Sequence, residues 1–139
     1  MKIVMEKGTV PSFYLLVQNV KAKGRKARAL VKFGKLVAVK LQELQDEEKA
    51  LNAEYYEVDE TGNGKRDEKG ELIALEGADT EVYSTEWTAL HEEKVIIDLT
   101  EYQPYMEHLL AGLNDWDEPI NGMDALVYDE LLDILESAE

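Results

Sequence analysis

One stretch of the chain has part of the spacing of a calcium-binding loop. Asp59, Thr61 and Asn63 stand at alternate positions and Gly64 follows them, as in the twelve-residue loop whose oxygens and sixth-position glycine wrap the ion. The last position of that loop requires a bidentate Glu, and here it is Gly70. Without that carboxylate the pattern favours a glycine-rich turn, so we predict no metal site and no cofactor.

A second partial motif begins at His91. His91-Glu92 starts like the helical zinc-protease motif, but the second histidine that the chelate needs one turn later is replaced by Val95. The chain has no Cys and two His, which excludes disulfides, thiolate zinc sites and a Cys nucleophile and argues against nitrogen-rich metal sites. We therefore expect His91 and His108 at the surface or its boundary, and no enzyme activity.

Four cations form the candidate interaction face. Arg25, Arg28, Lys32 and Lys35 are spaced three and four residues apart, so they share one side of a helix. Such a face could neutralise phosphates, or it could be a solvated face or the docking surface for an acidic C-terminal helix. We favour the structural interpretation, a solvated face or a docking surface, over phosphate binding. A net charge of −15 repels nucleic acid, and no aromatic residue shares the three- and four-residue spacing of these cations to stack on bases.

The charge is distributed unevenly along the chain. Between Lys7 and Gln42 there are nine basic residues and no acidic one, whereas beyond Lys49 there are 25 acidic residues and four basic ones. The chain is therefore strongly dipolar along its sequence.

These cations belong to a long helical pattern from Arg25 to Val58. Its apolar positions recur every three or four residues and predict a seam that packs against another helix. They are Leu30, Val37, Leu41, Leu44, Leu51, Tyr55 and Val58, with Gly34 and Glu48 in the gaps. A straight helix of this length would measure about 50 Å, more than the diameter of roughly 40 Å of a compact domain of this size. We therefore expect it to protrude, bend or break near residues 45 to 48, and an exposed seam predicts a homo-oligomer.

Shorter elements surround the long helix. We predict a strand over residues 2 to 5 that pairs with a second strand over residues 95 to 98, because an isolated strand leaves its backbone groups unpaired. Further helices are predicted over about residues 10 to 22, from Asp79 or Thr80, from Thr100 to Gly112, and from Asn121 onward, with a loop containing Trp116 and Pro119 before the last.

The resulting fold class is α+β, mainly α. It consists of a long helical hairpin and a terminal helix with a small two-stranded sheet. We expect one domain over residues 1–139, without internal repeats. Residues 59 to 78 are rich in turn residues and form a polar excursion, which we expect to be the most mobile part of the chain.

The start of the chain does not resemble a signal peptide. It becomes charged at Glu6, and no run approaches the length of about 20 apolar residues that crosses a bilayer. We expect no contact with a membrane and a location in the cytoplasm of a host cell or in a virion.

The order of several short stretches carries a resemblance over nearly the whole chain. They are Lys21-Ala-Lys-Gly-Arg-Lys-Ala-Arg28 leading into Phe33 and Leu36, Leu44-Gln-Asp-Glu-Glu-Lys-Ala-Leu51 to Glu54-Tyr55, Asp59-Glu-Thr-Gly62, Glu92-Glu-Lys-Val-Ile-Ile-Asp98 and Ala125-Leu-Val-Tyr-Asp-Glu-Leu-Leu132. In this order they resemble a family of short acidic proteins of unknown function encoded by phages and prophages of Gram-positive bacteria. The resemblance implies a phage or prophage context and transfers no activity and no site residue.

Three functions fit these observations. The first is a non-enzymatic protein–protein interaction or virion-associated role, with the cationic face and the seam of the long helix as the interface. The second is an acidic mimic of nucleic acid that inhibits a host enzyme, with carboxylates in the place of phosphates. The third is nucleic-acid binding by the cationic face. A protein partner from the phage or the host is expected, and nucleic acid is the less expected partner.

Overall fold

The computed structural model describes residues 1–117 and 120–138. Five helices and two strands follow one another in this part of the chain. They are β1 (Lys2–Glu6), α1 (Val10–Asn19), α2 (Gly24–Tyr55), α3 (Thr80–Glu92), β2 (Lys94–Asp98), α4 (Gln103–Asn114) and α5 (Gly122–Glu136), with short 3-10 helices at Lys7–Thr9 and Thr100–Tyr102. The predicted α+β, mainly helical class is confirmed. Pro119, expected in the loop before α5, lies outside the described residues.

The chain divides into two compact units. The first comprises Met1–Leu41 and Lys94–Glu139, and the second is Gln42–Glu93. The second unit contains 17 acidic residues and four basic ones, so most of the negative charge of the chain belongs to it. The prediction of a single domain stays a prediction.

Helix α2 contributes residues to both units. It has 32 residues and continues without interruption through residues 45 to 48, so no break occurs at the predicted place. Its seam is buried at Leu30, Val37 and Leu44, and the remaining seam positions are half-buried. The three- and four-residue spacing of the apolar positions thus predicted correctly which side of α2 is buried.

The two strands form an antiparallel sheet in the first unit, as predicted. Ile3 lies opposite Ile97, and Met5 lies opposite Val95. These four side chains are buried, while the alternate residues of both strands are exposed. The sheet therefore covers the core with one face only.

The core of the first unit is closed by the four helices α1, α2, α4 and α5. Its largest fully buried side chains include Phe13 of α1, Phe33 of α2, Leu109 of α4 and Leu131 of α5. The prediction that α1 extends to residue 22 is wrong. The chain leaves the helix at Val20, whose ψ angle of 126° is extended and whose side chain is buried, so the core selects this conformation over another helical turn.

In the second unit, the segment between α2 and α3 forms a closed triangle of backbone hydrogen bonds. The N–H of Glu57 donates to the carbonyl oxygen of Ile73 at 2.8 Å, the N–H of Ile73 donates to Lys65 at 3.1 Å, and the N–H of Lys65 donates to Glu57 at 2.8 Å. The three residues are eight positions apart and each both donates to and accepts from another. We call them the hydrogen-bond triangle.

The corners of the triangle are joined by similar turns. The N–H of Gly62 donates a hydrogen bond to the carbonyl oxygen of Asp59, and the N–H of Gly70 donates one to the carbonyl oxygen of Asp67. Both glycines have positive φ, +87° and +80°, which a residue with a Cβ adopts only with strain. The expectation of no internal repeat is therefore wrong for this segment, where the turn Asp-Glu-x-Gly occurs twice with the same backbone bond.

Candidate functional site

The four cations of the candidate face lie on the first unit's part of α2, and we call them the cationic ridge. Arg25, Arg28 and Lys35 are exposed and Lys32 is half-buried. Among the residues that the structure describes, Arg25, Arg28 and Lys35 have no hydrogen bond, ion pair or ring contact. The ridge therefore presents three cations that are not neutralised by a carboxylate in this part of the chain.

Two other cations of the first unit, in contrast, are paired. Lys26 forms an ion pair with Asp115, and Lys94 lies 3.3 Å from a carboxylate oxygen of Glu6. Both pairs are exposed and contribute little to stability. The pair of Lys26 with Asp115 shows that a carboxylate reaches a cation adjacent in sequence to Arg25, whereas over the described residues none reaches Arg25, Arg28 or Lys35.

Helix α5 does not dock its acidic side on the ridge. Its apolar residues Leu131 and Leu135 enter the core, and it packs against α1, α4 and β1. Its acidic residues are exposed, namely Asp124, Asp129, Glu130, Asp133 and Glu136. Over the described residues none of them pairs with a ridge cation. Of the two structural alternatives for the cationic face, a solvated face and a docking surface for this helix, these residues therefore fit the solvated face. The burial of the apolar side of α5 against α1, α4 and β1 determines where this helix lies.

Lys32 lies beside a groove rich in tyrosine. Its ammonium nitrogen is 4.8 Å from the centre of the Tyr105 ring, within the range of a cation–π interaction. The groove has a volume of about 590 Å³ and is lined by Lys32, Lys35, Leu36, Asp98, Thr100, Glu101, Tyr102 and Tyr105. We call it the tyrosine groove.

The tyrosine groove also holds an ionised carboxylate. Asp98 accepts hydrogen bonds from the hydroxyl of Thr100 at 2.5 Å and from its N–H at 2.9 Å. These bonds, the hydroxyl first, lower the pKa of Asp98 because they stabilise the charged form. The groove thus combines two cations with fixed negative charge.

A second groove lies between α1 and α2. Its volume is about 650 Å³, and its lining is mostly apolar. The lining residues are Tyr14, Val17, Gln18, Val20, Lys21, Ala22, Ala27, Leu30, Val31, Gly34, Lys35 and Ala38. We call it the α1–α2 groove. Lys35 lines both grooves, so the end of the cationic ridge separates an apolar groove from a polar, aromatic one.

No family model, no curated protein and no solved structure matches this chain. The resemblance to phage and prophage proteins stays a prediction. The ridge and its two grooves are therefore interpreted from their own geometry and charge.

The partial calcium motif is folded as a turn. One carboxylate oxygen of Asp59 accepts hydrogen bonds from the N–H of Thr61 at 2.8 Å, the hydroxyl of Thr61 at 2.6 Å and the N–H of Asn63 at 3.0 Å. These bonds, led by the Thr61 hydroxyl, lower the pKa of Asp59. The carboxylate thus stabilises its own loop, which confirms the predicted turn. Over residues 1–117 and 120–138, no group of three acidic, His or Cys side chains could hold a metal ion.

His91 takes part in a side-chain network of the second unit. Its Nε2 lies 2.9 Å from a carboxylate oxygen of Glu48, and its Nδ1 lies 2.8 Å from the carbonyl oxygen of Trp87. Both nitrogens face acceptors, so only the doubly protonated ring can donate to both. The ring also stacks on Trp87 with centroids 4.5 Å apart.

The same network continues along α3. The hydroxyl of Tyr83 donates to the side-chain oxygen of Asn52 at 2.6 Å. The Tyr83 ring contacts those of Tyr55, Tyr56 and Trp87. The contacts of Tyr83 with Asn52 and Tyr55 pack α3 against the end of α2.

His91 and His108 are half-buried, as predicted for boundary positions. Within the described residues, no helix combines the length and the hydropathy needed to cross a bilayer.

Proposed function

We propose that this chain is a non-enzymatic interaction protein of a phage or prophage, acting in the host cytoplasm or in the virion, and that its cationic ridge contacts an acidic surface of a protein partner. The observation that supports this most directly is the free state of Arg25, Arg28 and Lys35 within the described part of a chain with 30 acidic residues. A helix face that keeps three cations away from so many carboxylates is available to an outside partner.

The surroundings of the ridge favour protein over nucleic acid as the partner. The α1–α2 groove beside the ridge is mostly apolar, and apolar surface next to charge is typical of protein interfaces. One face of the Tyr105 ring is occupied by Lys32, so a base would have to displace this cation to stack on that face. The net charge of −15 also opposes the approach of a polyanion.

A capture experiment with charge-reversed variants tests the proposal. The double variant Arg28→Glu with Lys35→Glu reverses two cations that have no partner in the described chain, so it is expected to fold. Lys65→Glu with Lys69→Glu makes the same change of charge on exposed positions of the second unit and is the matched control. From nuclease-treated extracts of induced host cells, we expect the wild type and the control to retain a protein partner that the ridge variant loses.

Retention of the same partner by the ridge variant would contradict the proposal. A gel shift with nucleic acid that disappears in Arg28→Ala with Lys32→Ala would replace it by nucleic-acid binding. Sedimentation over a range of concentrations addresses the predicted homo-oligomer separately, because a strict monomer at high concentration argues against self-association through α2.

One observation favours the acidic-mimic function as a second candidate. The unit Gln42–Glu93 has 17 acidic residues against four basic ones, a charge density that attracts proteins adapted to bind phosphates. If this function operates, a short DNA duplex competes with the protein for a captured host enzyme, and the enzyme is inhibited in proportion to binding. A captured partner that the duplex does not displace would exclude it.

A further inference from the structure

We propose that the α1–α2 groove binds an acidic amphipathic helix of the protein partner, which approaches the backbone of α2 closely at Gly34. This inference rests on the proposed function of the cationic ridge, because Lys35 belongs to both the ridge and the groove. Beyond that function, the inference specifies that the partner contributes a helix and that this helix lies in the α1–α2 groove.

Gly34 is the observation that carries the inference. It lies in the interior of α2, where glycine is less favourable than alanine because its backbone loses more conformational freedom on folding. A Cβ at this position would lie 3.7 Å from Cγ1 of Val17, which is an ordinary van der Waals contact. The packing of α1 on α2 therefore does not require glycine at this position.

Gly112 provides a contrast within the same unit. A Cβ at this position would lie 3.3 Å from Cβ of Lys26 and 3.6 Å from Cδ1 of Leu30. Close packing of α4 on α2 therefore accounts for that glycine. Gly34 has no such neighbour and lines an open groove, where the absence of a side chain lets another backbone come near.

The form of the groove favours a helix as its occupant. Nine of its twelve lining residues belong to α1 and α2, two helices whose backbone groups are already hydrogen-bonded within each helix, and Val20, Lys21 and Ala22 belong to the connection between them. Along these two helices an extended peptide would find no row of backbone partners, whereas a helix satisfies its own backbone. The lining residues of α2 run from Ala27 to Ala38, a distance of about 16 Å that corresponds to three helical turns.

The chemistry of the groove indicates the side chains of that helix. Apolar residues of the partner would cover Val31, which is 58% exposed, together with the other apolar lining residues. Lys35 stands at the rim without a partner among the described residues, and Arg28 lies two turns before it on the ridge. Carboxylates flanking the apolar side of the partner helix would pair with these cations.

Two synthetic helical peptides test the inference. The first carries Leu and Ala along one side and Glu along both flanks, and the second replaces every Glu by Lys. Binding of each fluorescent peptide to the full chain is followed by anisotropy. We expect the acidic peptide to bind to the wild type and to lose about tenfold or more in affinity with Gly34→Leu, whose side chain fills the groove. Leu15→Ala, which truncates an apolar residue that is 60% exposed and does not line the groove, is the control and should bind like the wild type.

Each other outcome contradicts the inference. Unchanged affinity in Gly34→Leu, equal binding of the lysine peptide, or no binding of the acidic peptide to the wild type would overturn it. Thermal unfolding of each variant verifies that the fold is retained, and Gly34→Ala, which fills the groove less, should give an intermediate affinity. If Arg28→Glu with Lys35→Glu loses the cellular partner while Gly34→Leu keeps it, the ridge function stands and the groove inference fails.

Discussion

The ammonium group of Lys32 lies 4.8 Å from the centre of the Tyr105 ring. This contact joins the middle of the cationic ridge to the beginning of α4, and it is the one ring contact of a ridge cation within the described residues. It distinguishes Lys32 from the three ridge cations that lack a partner there. We therefore expect Lys32 to support the fold, and the other three to be available for binding.

A double-mutant cycle measures this contact. Lys32→Met and Tyr105→Leu each remove one partner and keep an apolar side chain of similar length or volume. We expect a coupling free energy of about 0.5 to 1 kcal/mol from urea unfolding of the wild type, the two single variants and the double variant. A coupling of zero would show that the contact does not contribute to stability.

Gly34 and Gly112, which lie inside α2 and α4, should respond in opposite ways to alanine. Gly34→Ala is expected to raise the free energy of unfolding by about 0.5 to 1 kcal/mol, since its Cβ has room and the helix interior favours alanine. Gly112→Ala is expected to lower it, because the new Cβ would press on Lys26 at 3.3 Å. Urea unfolding of both variants provides the comparison. Destabilisation by Gly34→Ala would mean that this glycine has a structural role in α2.

The buried tyrosine of the first unit should make stability depend on alkaline pH. Burial raises the pKa of Tyr102, whose hydroxyl donates to the carbonyl oxygen of Ala29. The unfolded chain loses this proton above about pH 10 while the folded chain keeps it, so the free energy of unfolding falls as the pH rises.

Tyr102→Phe tests this dependence. The variant should be about 1 kcal/mol less stable near neutral pH, through loss of the hydrogen bond, and its decline above about pH 10 should be shallower than that of the wild type. Urea unfolding at a series of pH values provides the measurement. Tyr14→Phe, at a half-buried position, is the control and should keep the decline of the wild type. If the free energy of unfolding declined with pH in parallel for the wild type and Tyr102→Phe, Tyr102 would be excluded as the cause of the decline.

Hydrogen exchange should show that the hydrogen-bond triangle opens as one unit. The amides of Glu57, Lys65 and Ile73 each donate within the triangle, so we expect similar protection for all three. Asp59→Ala removes the bonds to Thr61 and Asn63 and should speed the exchange of all three amides together. Fast exchange of the three amides in the wild type would instead support the mobility expected from the polar composition of residues 59 to 78.

Local features of the fold could be predicted from the sequence. Asp79 accepts from the N–H groups of Glu81 and Val82 at the start of α3, and Asn121 accepts from the N–H of Asp124 at the start of α5. Such caps depend on residues two or three positions apart, which a sequence displays directly. The pairing of the strands was predictable for another reason, namely that no other partner was available to either strand.

The surroundings of the ridge could not be predicted in this way. Lys32 and Tyr105 are 73 positions apart, and helical spacing does not reveal which loop or helix packs beside a cation. The same limitation left open whether α5 docks on the ridge, since charge complementarity alone does not determine where the apolar side of a helix is buried. The repeated turns were visible in the sequence, because Asp59-Glu60 and Asp67-Glu68 are each followed by a glycine two positions later.

The hydrogen-bond triangle limits how the length of this segment can vary. An ordinary surface loop tolerates inserted residues, because the entropic cost of closure rises slowly with loop length. Here the carbonyl oxygen of Ile73 accepts a hydrogen bond from the N–H of Glu57, so the last residue of the triangle is bonded to the first. The number of residues in the triangle is therefore fixed. Inserting one further eight-residue turn would displace Ile73 from Glu57 and leave the ring open. The segment therefore behaves as a closed ring of fixed size, in which an insertion or deletion is expected to be far less tolerated than its exposed, polar composition implies.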